Sequence, residues 1–258
     1  MAPLSRRLSI RRRGLTLGLT ALAAACGGTT SDPGLDEFEG TTAWASFSIP
    51  QMRADRAQQR VSFLTFLDER SFRMGLFHAD ASTDLGLSVH PLNAVYYVVE
   101  GTATISTETE DHPVRPGSIL FVRGGVEHRI RQIRGDLEMV VVFRIERLHP
   151  DQDPEIFAAH VDDAARGRDP EGPAFNDIVR TATVNLGMYM LPKGFEDTAI
   201  VSHEVDEFKI IVNGAGRFDI GTGGFGGQPG SVAFIENDVA HRFRRISDAL
   251  DVLVIWER

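Results

Sequence analysis

The sequence predicts an all-β protein: two antiparallel β-barrels in tandem with a short helical connector. Three observations predict it. Short apolar runs divided by Gly, Pro and Asp fill most of the chain after residue 60, which is the signature of antiparallel strands with tight turns in a sandwich or barrel. One skeleton occurs twice: His90-Pro-Leu-Asn-Ala94, Tyr97-Val-Val-Glu-Gly101, Pro116-Gly117 and His128-Arg-Ile130 return as His203-Glu-Val-Asp-Glu207, Ile210-Ile-Val-Asn-Gly214, Pro229-Gly230 and His241-Arg-Phe243. The offset is 113 residues at His90/His203, Gly101/Gly214, Gly117/Gly230 and His128/His241, as an internal duplication requires.

The elements follow in chain order. Arg6, Arg7, Arg11, Arg12 and Arg13 precede an uncharged, mostly apolar run from Leu15 to Ala25. That run is too short to span a bilayer and fits an export signal over residues 1–25. Arg12-Arg13-Gly14-Leu15 resembles a twin-arginine signal; an ordinary Sec signal with surplus arginines fits as well. Leu22-Ala-Ala-Ala25-Cys26 resembles a bacterial lipobox, which makes Cys26 the expected lipidation site. The plainer alternative is an A-x-A cleavage site with Cys26 incidental. Cys26 is the only cysteine of the 258 residues, so an internal disulfide is excluded.

Residues 26–45 read as a flexible tether, and Pro50 to Arg60 as a short helix. Strands are expected at Val61–Phe66, Phe72–His78, Val95–Val99, Ala103–Ser106, Ser118–Val122, His128–Ile133 and Leu137–Phe143, giving a first barrel over 46–150. A connector over 151–172 is expected to be helical from Pro154 to Arg166, with the proline in the first turn. Strands resume at Thr183–Leu191, Phe208–Val212, Arg217–Ile220, Ser231–Ile235, His241–Ile246 and Val252–Trp256, giving a second barrel over 173–258. Gly221-Thr-Gly-Gly-Phe-Gly-Gly227 has no Lys and no helix after it, so it reads as a mobile hairpin loop and not as a phosphate loop.

The landmarks resemble the cupin superfamily over about residues 60–145 and 180–258. Its first motif runs H-x-H-x-x-x-E-x-x-Y-V-L-x-G, and its second runs P-G-D followed by P-x-G-x-x-H. Both copies depart from it at the first histidine, where Ser88 and Val201 stand. The resemblance implies jelly-roll (double-stranded β-helix) barrels, and pairing into a homodimer. It also implies that His203, Glu207 and His241 converge at the mouth of the second barrel. Two imidazoles and a carboxylate suit one divalent metal ion, Fe, Mn, Ni or Zn, with positions left open. In the first copy Ala94 replaces the carboxylate. His90 and His128 are therefore a weaker second site, to which His78 adds a ligand if it faces inward. Of Tyr96 and Tyr97, adjacent on a strand, one faces inward.

Removing residues 1–25 takes away five arginines and no acid, so the formal charge moves from −9 to −14. Nucleic acid and anionic membrane surfaces are poor partners for such a body, which leaves the membrane only as the seat of a lipid anchor. No G-x-S-x-G elbow or distinct carboxylate pair supports a hydrolase. Two functions from different classes fit. One is an exported bicupin metalloenzyme, a dioxygenase or decarboxylase acting on a small oxygenated molecule. The other is a non-catalytic module that binds a small molecule or a partner. A metal-free isomerase using His and Tyr is a third.

Overall fold

The computed structural model describes residues 43–83, 85–145 and 153–258. The segment 1–25 expected to be an export signal, Cys26 and the expected tether up to residue 42 lie outside the described residues. The first repeat carries β1 (Trp44–Ser48), α1 (Ile49–Gln59), β2 (Phe63–Asp68), β3 (Phe72–Ala79), β4 (Ala94–Ser106), β5 (Asp111–Val114), β6 (Ser118–Val122) and β7 (Arg129–Arg144). The second carries β8 (Ile156–His160), α2 (Val161–Ala164), β9 (Ala174–Arg180), β10 (Val184–Leu191), β11 (Glu207–Ile220), β12 (Gly223–Gly227), β13 (Ser231–Ile235) and β14 (His241–Glu257). The elements correspond one to one.

Two seven-stranded antiparallel sheets result, ordered β2-β3-β7-β4-β6-β8 with β5 on β4, and β1-β13-β11-β14-β10-β9 with β12 on β11. In each, two long neighbouring strands bend at successive bulges, between Val98 and Thr104 and between Ile211 and Arg217, so the sheet curls around a core of its own. Gly101 and Gly214 sit at those bends with φ of 76° and 78°. A Cβ there would collide with the carbonyl oxygens of Asp136 and Ala249 on the adjoining strand, so only glycine serves.

Each repeat lends its leading strand to the other barrel. β1 pairs with β13, Trp44 opposite Ile235 and Ser48 opposite Ser231; β8 pairs with β6, Ile156 opposite Val122 and His160 opposite Ser118. The chain leaves both strands through the same contact: Ile49 N–H donates to Gly230 O at 2.9 Å, and Val161 N–H to Gly117 O at 3.0 Å. The expected connector helix is therefore mostly a strand, and only Val161–Ala164 is helical. Ala158 and Ala159 favour a helix locally, but the unpaired edge of β6 offers them a full ladder of backbone bonds. By the same exchange, Trp44 and Ala45 belong to β1 and not to a tether. The helix expected at 50–60 does form as α1, with Pro50 in its first turn and Arg60 closing it at φ 57°.

Three apolar clusters follow. One fills the first barrel around Tyr96, Val98, Ile105, Leu120 and Met139. Another fills the second around Ile211, Phe218, Ile220, Phe243 and Val252. The third lies between the sheets and joins Phe72, Met74, Leu76 and Phe121 to Phe208, Ile210, Phe234 and Leu253. Polar contacts at this seam obey a pseudo-twofold. Asn93 Nδ2 donates to Thr183 Oγ1 at 2.7 Å, and the counterparts Ser71 and Asp206 are bonded in turn. Arg144 and Glu257, counterparts of each other, meet at 2.8 Å.

The glycine-rich segment is also more ordered than a mobile loop. Its residues 223–227 form β12 on β11. A Cβ on Gly224 or Gly227 would collide with Phe218 O or Ile211 Cδ1, so the glycines permit the close approach that makes pairing possible.

Candidate metal centre

Glu207 opens β11 and His241 opens β14. Glu207 lies between Ile235 and Trp256, and His241 between Val201 and Ile220. They come from different parts of the sheet and meet because it curls. His203 stands in the loop ahead of β11. Asp238 N–H donates to its carbonyl at 2.6 Å and fixes that loop. The three side chains come together: His241 Nε2 is 3.1 Å from Glu207 Oε1, His203 Nε2 is 4.0 Å from the same oxygen, and one ligand atom from each lies within 4.8 Å of the others. Glu207 and His241 are buried, whereas the His203 side chain is 49% exposed and marks the open side.

A hydrogen bond fixes the tautomer of His241. His241 Nδ1 lies 3.0 Å from Val239 O. A carbonyl can only accept, so Nδ1 carries the proton. Burial, reinforced by the Lys209 charge, lowers the His241 pKa from 6.5 to about 4, so the ring is neutral and its Nε2 is a bare lone pair. Burial alone would raise the pKa of Glu207, but the charge of Lys209 and the neighbouring imidazoles outweigh it and hold the carboxyl below its ordinary value. Lys209 Nζ donates to Glu207 Oε2 at 2.7 Å. Glu207 Oε1 meets no hydrogen-bond donor among the described residues. Two electron-rich atoms thus face each other 3.1 Å apart in a buried place, an arrangement that repels unless a cation lies between them. The donor set fits a divalent metal.

A pH dependence follows for the metal-free protein. The His241 pKa is depressed on folding, so the unfolded chain binds the extra proton between about pH 6.5 and 4. The stability is complete above that window and is lost as pH falls through it. We expect the wild type to lose on the order of 3 kcal/mol more than His241→Asn between pH 7 and 4, read as urea midpoints for the two proteins. Equal losses would exclude His241 as the titrating group.

The first barrel repeats the frame and not the chemistry. The His90 and His128 rings are 5.5 Å apart at 49°, against 5.4 Å and 49° for His203 and His241. His128 Nδ1 again faces a carbonyl, Val126 O at 3.1 Å. Its Nε2, however, lies 3.3 Å from the Tyr96 hydroxyl, which donates to it. Ala94 supplies no carboxylate. Tyr96 is the inward tyrosine, and Tyr97 faces the inter-barrel cluster. His78 shares the strand face of Met74 and Leu76, which packs between the barrels, and pairs with Asp136 at 3.5 Å. It is no third ligand, because an even-numbered residue of β3 points away from the barrel interior.

Lys209 was not among the candidate residues. The signal for it was present: side chains two apart on a strand share a face, so an inward Glu207 brings Lys209 in with it. Glu204, by contrast, is exposed.

Fold and site together define a tandem antiparallel-barrel protein with, among the described residues, one candidate histidine–carboxylate centre. A family model described as a cupin domain matches residues 75–143. An uncharacterized protein of Streptomyces coelicolor is 37% identical over 98 residues, covering 38% of this chain and 93% of that protein. Among solved structures, a salicylate 1,2-dioxygenase from Pseudaminobacter salicylatoxidans aligns with a TM-score of 0.71 at 13% identity, over 83% of this chain and 84% of that one. A cupin 2 conserved barrel domain protein from Leptotrichia buccalis aligns at 0.63 and 13% identity, over 86% and 99%. At such identities the structures show the fold alone. The chain belongs to the cupin superfamily.

Proposed function

We propose that this chain is a cell-envelope bicupin whose second barrel holds one divalent metal ion, Fe, Mn, Ni or Zn, on His203, Glu207 and His241. On this reading it converts a small oxygenated molecule by dioxygenase or decarboxylase chemistry. One observation carries the reading: the donor-less Glu207 Oε1 and the bare Nε2 of His241 face each other at 3.1 Å. A bound ion supplies Lewis-acid polarisation of a ligand oxygen, or dioxygen activation if it is iron. The chain's own residues do the rest. Val239 O fixes the His241 tautomer, in the manner of an outer-shell partner, and Lys209 holds one carboxylate oxygen so that the other is presented. The open side at His203 admits the ligand. A related dioxygenase fold was solved in complex with gentisate, which is in keeping with a small-molecule partner.

Protein purified without added ions should contain divalent metal near one equivalent, and His241→Ala should lose it. Metal-free wild type would favour the second reading, a non-catalytic small-molecule-binding cupin. Two observations favour that alternative: Val201 occupies the place of the family's first histidine, and Tyr96 has closed the corresponding site in the first barrel.

We further propose export through the segment 1–25 and lipid attachment at Cys26, supported by the basic start, the apolar run and the position of the sole cysteine. Cys26→Ser should release the protein from membranes on fractionation. Retention as tight as wild type would exclude this residue as the anchor.

A further inference from the structure

The candidate centre contains a charge that none of its three ligands supplies. Lys209 is buried, 6% exposed, and flanked across the sheet by Ala233 and Val254, both in the apolar lining of the second barrel. Of its three N–H groups one is taken by Glu207 Oε2 at 2.7 Å. Among the described residues no other acceptor meets it. The position is not demanded by the fold, because the counterpart at the 113-residue offset is the neutral Tyr96.

An imidazole that ligates a metal is neutral, so in the loaded centre the charges of Glu207 and Lys209 cancel. A divalent ion therefore leaves a net charge of +2 at a centre two of whose three ligands are buried, whereas a centre with Glu207 and no lysine would carry +1. Desolvated charge of one sign is costly unless an opposite charge joins it. Ammonium N–H groups without acceptors are likewise costly, and an ionised oxygen acceptor is the partner that repays most.

Building on the proposed metal reading, we infer that the ligand taken by this barrel is a small oxyanion, a carboxylate or enolate, and that Lys209 selects it by pairing with its negative oxygen. Lys209 then determines specificity and is not a metal ligand.

The test uses the full chain loaded with Co(II), whose visible bands report both metal uptake and ligand entry. Glycolate and glycolamide are the probes, alike in size and hydroxyl group and different in charge. We expect wild type to bind glycolate at least about tenfold more tightly than glycolamide. Lys209→Met, saturated with cobalt at a raised metal concentration because an outer-shell partner is gone, should lose about tenfold or more in glycolate affinity, with glycolamide little changed, while Lys209→Arg should retain most of the preference. Equal affinity of wild type for the two probes overturns the inference without reference to any variant. So does a cobalt-loaded Lys209→Met that binds glycolate as wild type does. Wild type that takes up no cobalt removes the metal reading itself, and this inference with it.

Discussion

Glu207→Gln is expected to remove divalent-metal binding and to destabilise the metal-free protein in the same step. The metal effect comes from losing the one anionic donor. Outer-shell partners alone typically cost 10–100-fold in metal affinity, so removing a direct ligand should cost on the order of 100-fold or more. The stability effect comes from Lys209. Its ammonium and the Glu207 carboxylate are 7% and 5% exposed and 2.7 Å apart. Taking away one partner of such a buried pair leaves a charge without its counter-charge, at about 3–5 kcal/mol. The double variant Glu207→Gln, Lys209→Met separates the two effects. It should recover most of the stability, since both charges are gone, and none of the metal affinity. Urea midpoints and zinc titration read the two quantities independently. A single variant that kept wild-type stability would show that Lys209 finds another partner.

Phe72→Ala is expected to lower stability by about 4 kcal/mol, which for a chain of this size is roughly a 10 °C fall in Tm. Phe72 is fully buried in the cluster between the sheets. It meets Phe208 of the other repeat edge-to-face with ring centres 5.4 Å apart, and the Arg144 guanidinium lies 5.3 Å from its ring centre. The ring therefore belongs to both barrels. Calorimetry should show one cooperative transition moving as a whole. Two transitions, of which only one shifts, would mean that the barrels unfold independently.

Much of this architecture was legible because it is written locally. A strand with turn residues at each end and a glycine at a bend are features of adjacent residues, and the duplication repeats them at one offset. The candidate centre joins His203 and Glu207 to the distant His241, and it was legible through its resemblance to a family motif, down to Ala94 in the place of Glu207. What escaped is what depends on a distant partner. Ile156 to His160 has a composition suited to a helix and becomes a strand only because β6, some 40 residues earlier in the chain, offers an edge. Trp44 and Ala45 looked like the end of a tether because their partner β13 is near the other terminus. Lys209 escaped for a different reason. Its direction followed from period two, but its importance follows only from the 2.7 Å contact that the folded strand brings about.

The exchange of leading strands also sets an order in time. β8 can pair as soon as it follows the first barrel, because β6 has already been made. β1 cannot: its partner comes more than 180 residues later, so the first strand synthesised is among the last to be placed. Contacts of such long separation are slow to form, and until this one does, both β1 and the edge of β13 stand open to wrong partners. A chain exported unfolded would complete its second barrel only after nearly all of itself had crossed, whereas a folded-export route delivers that pairing already made.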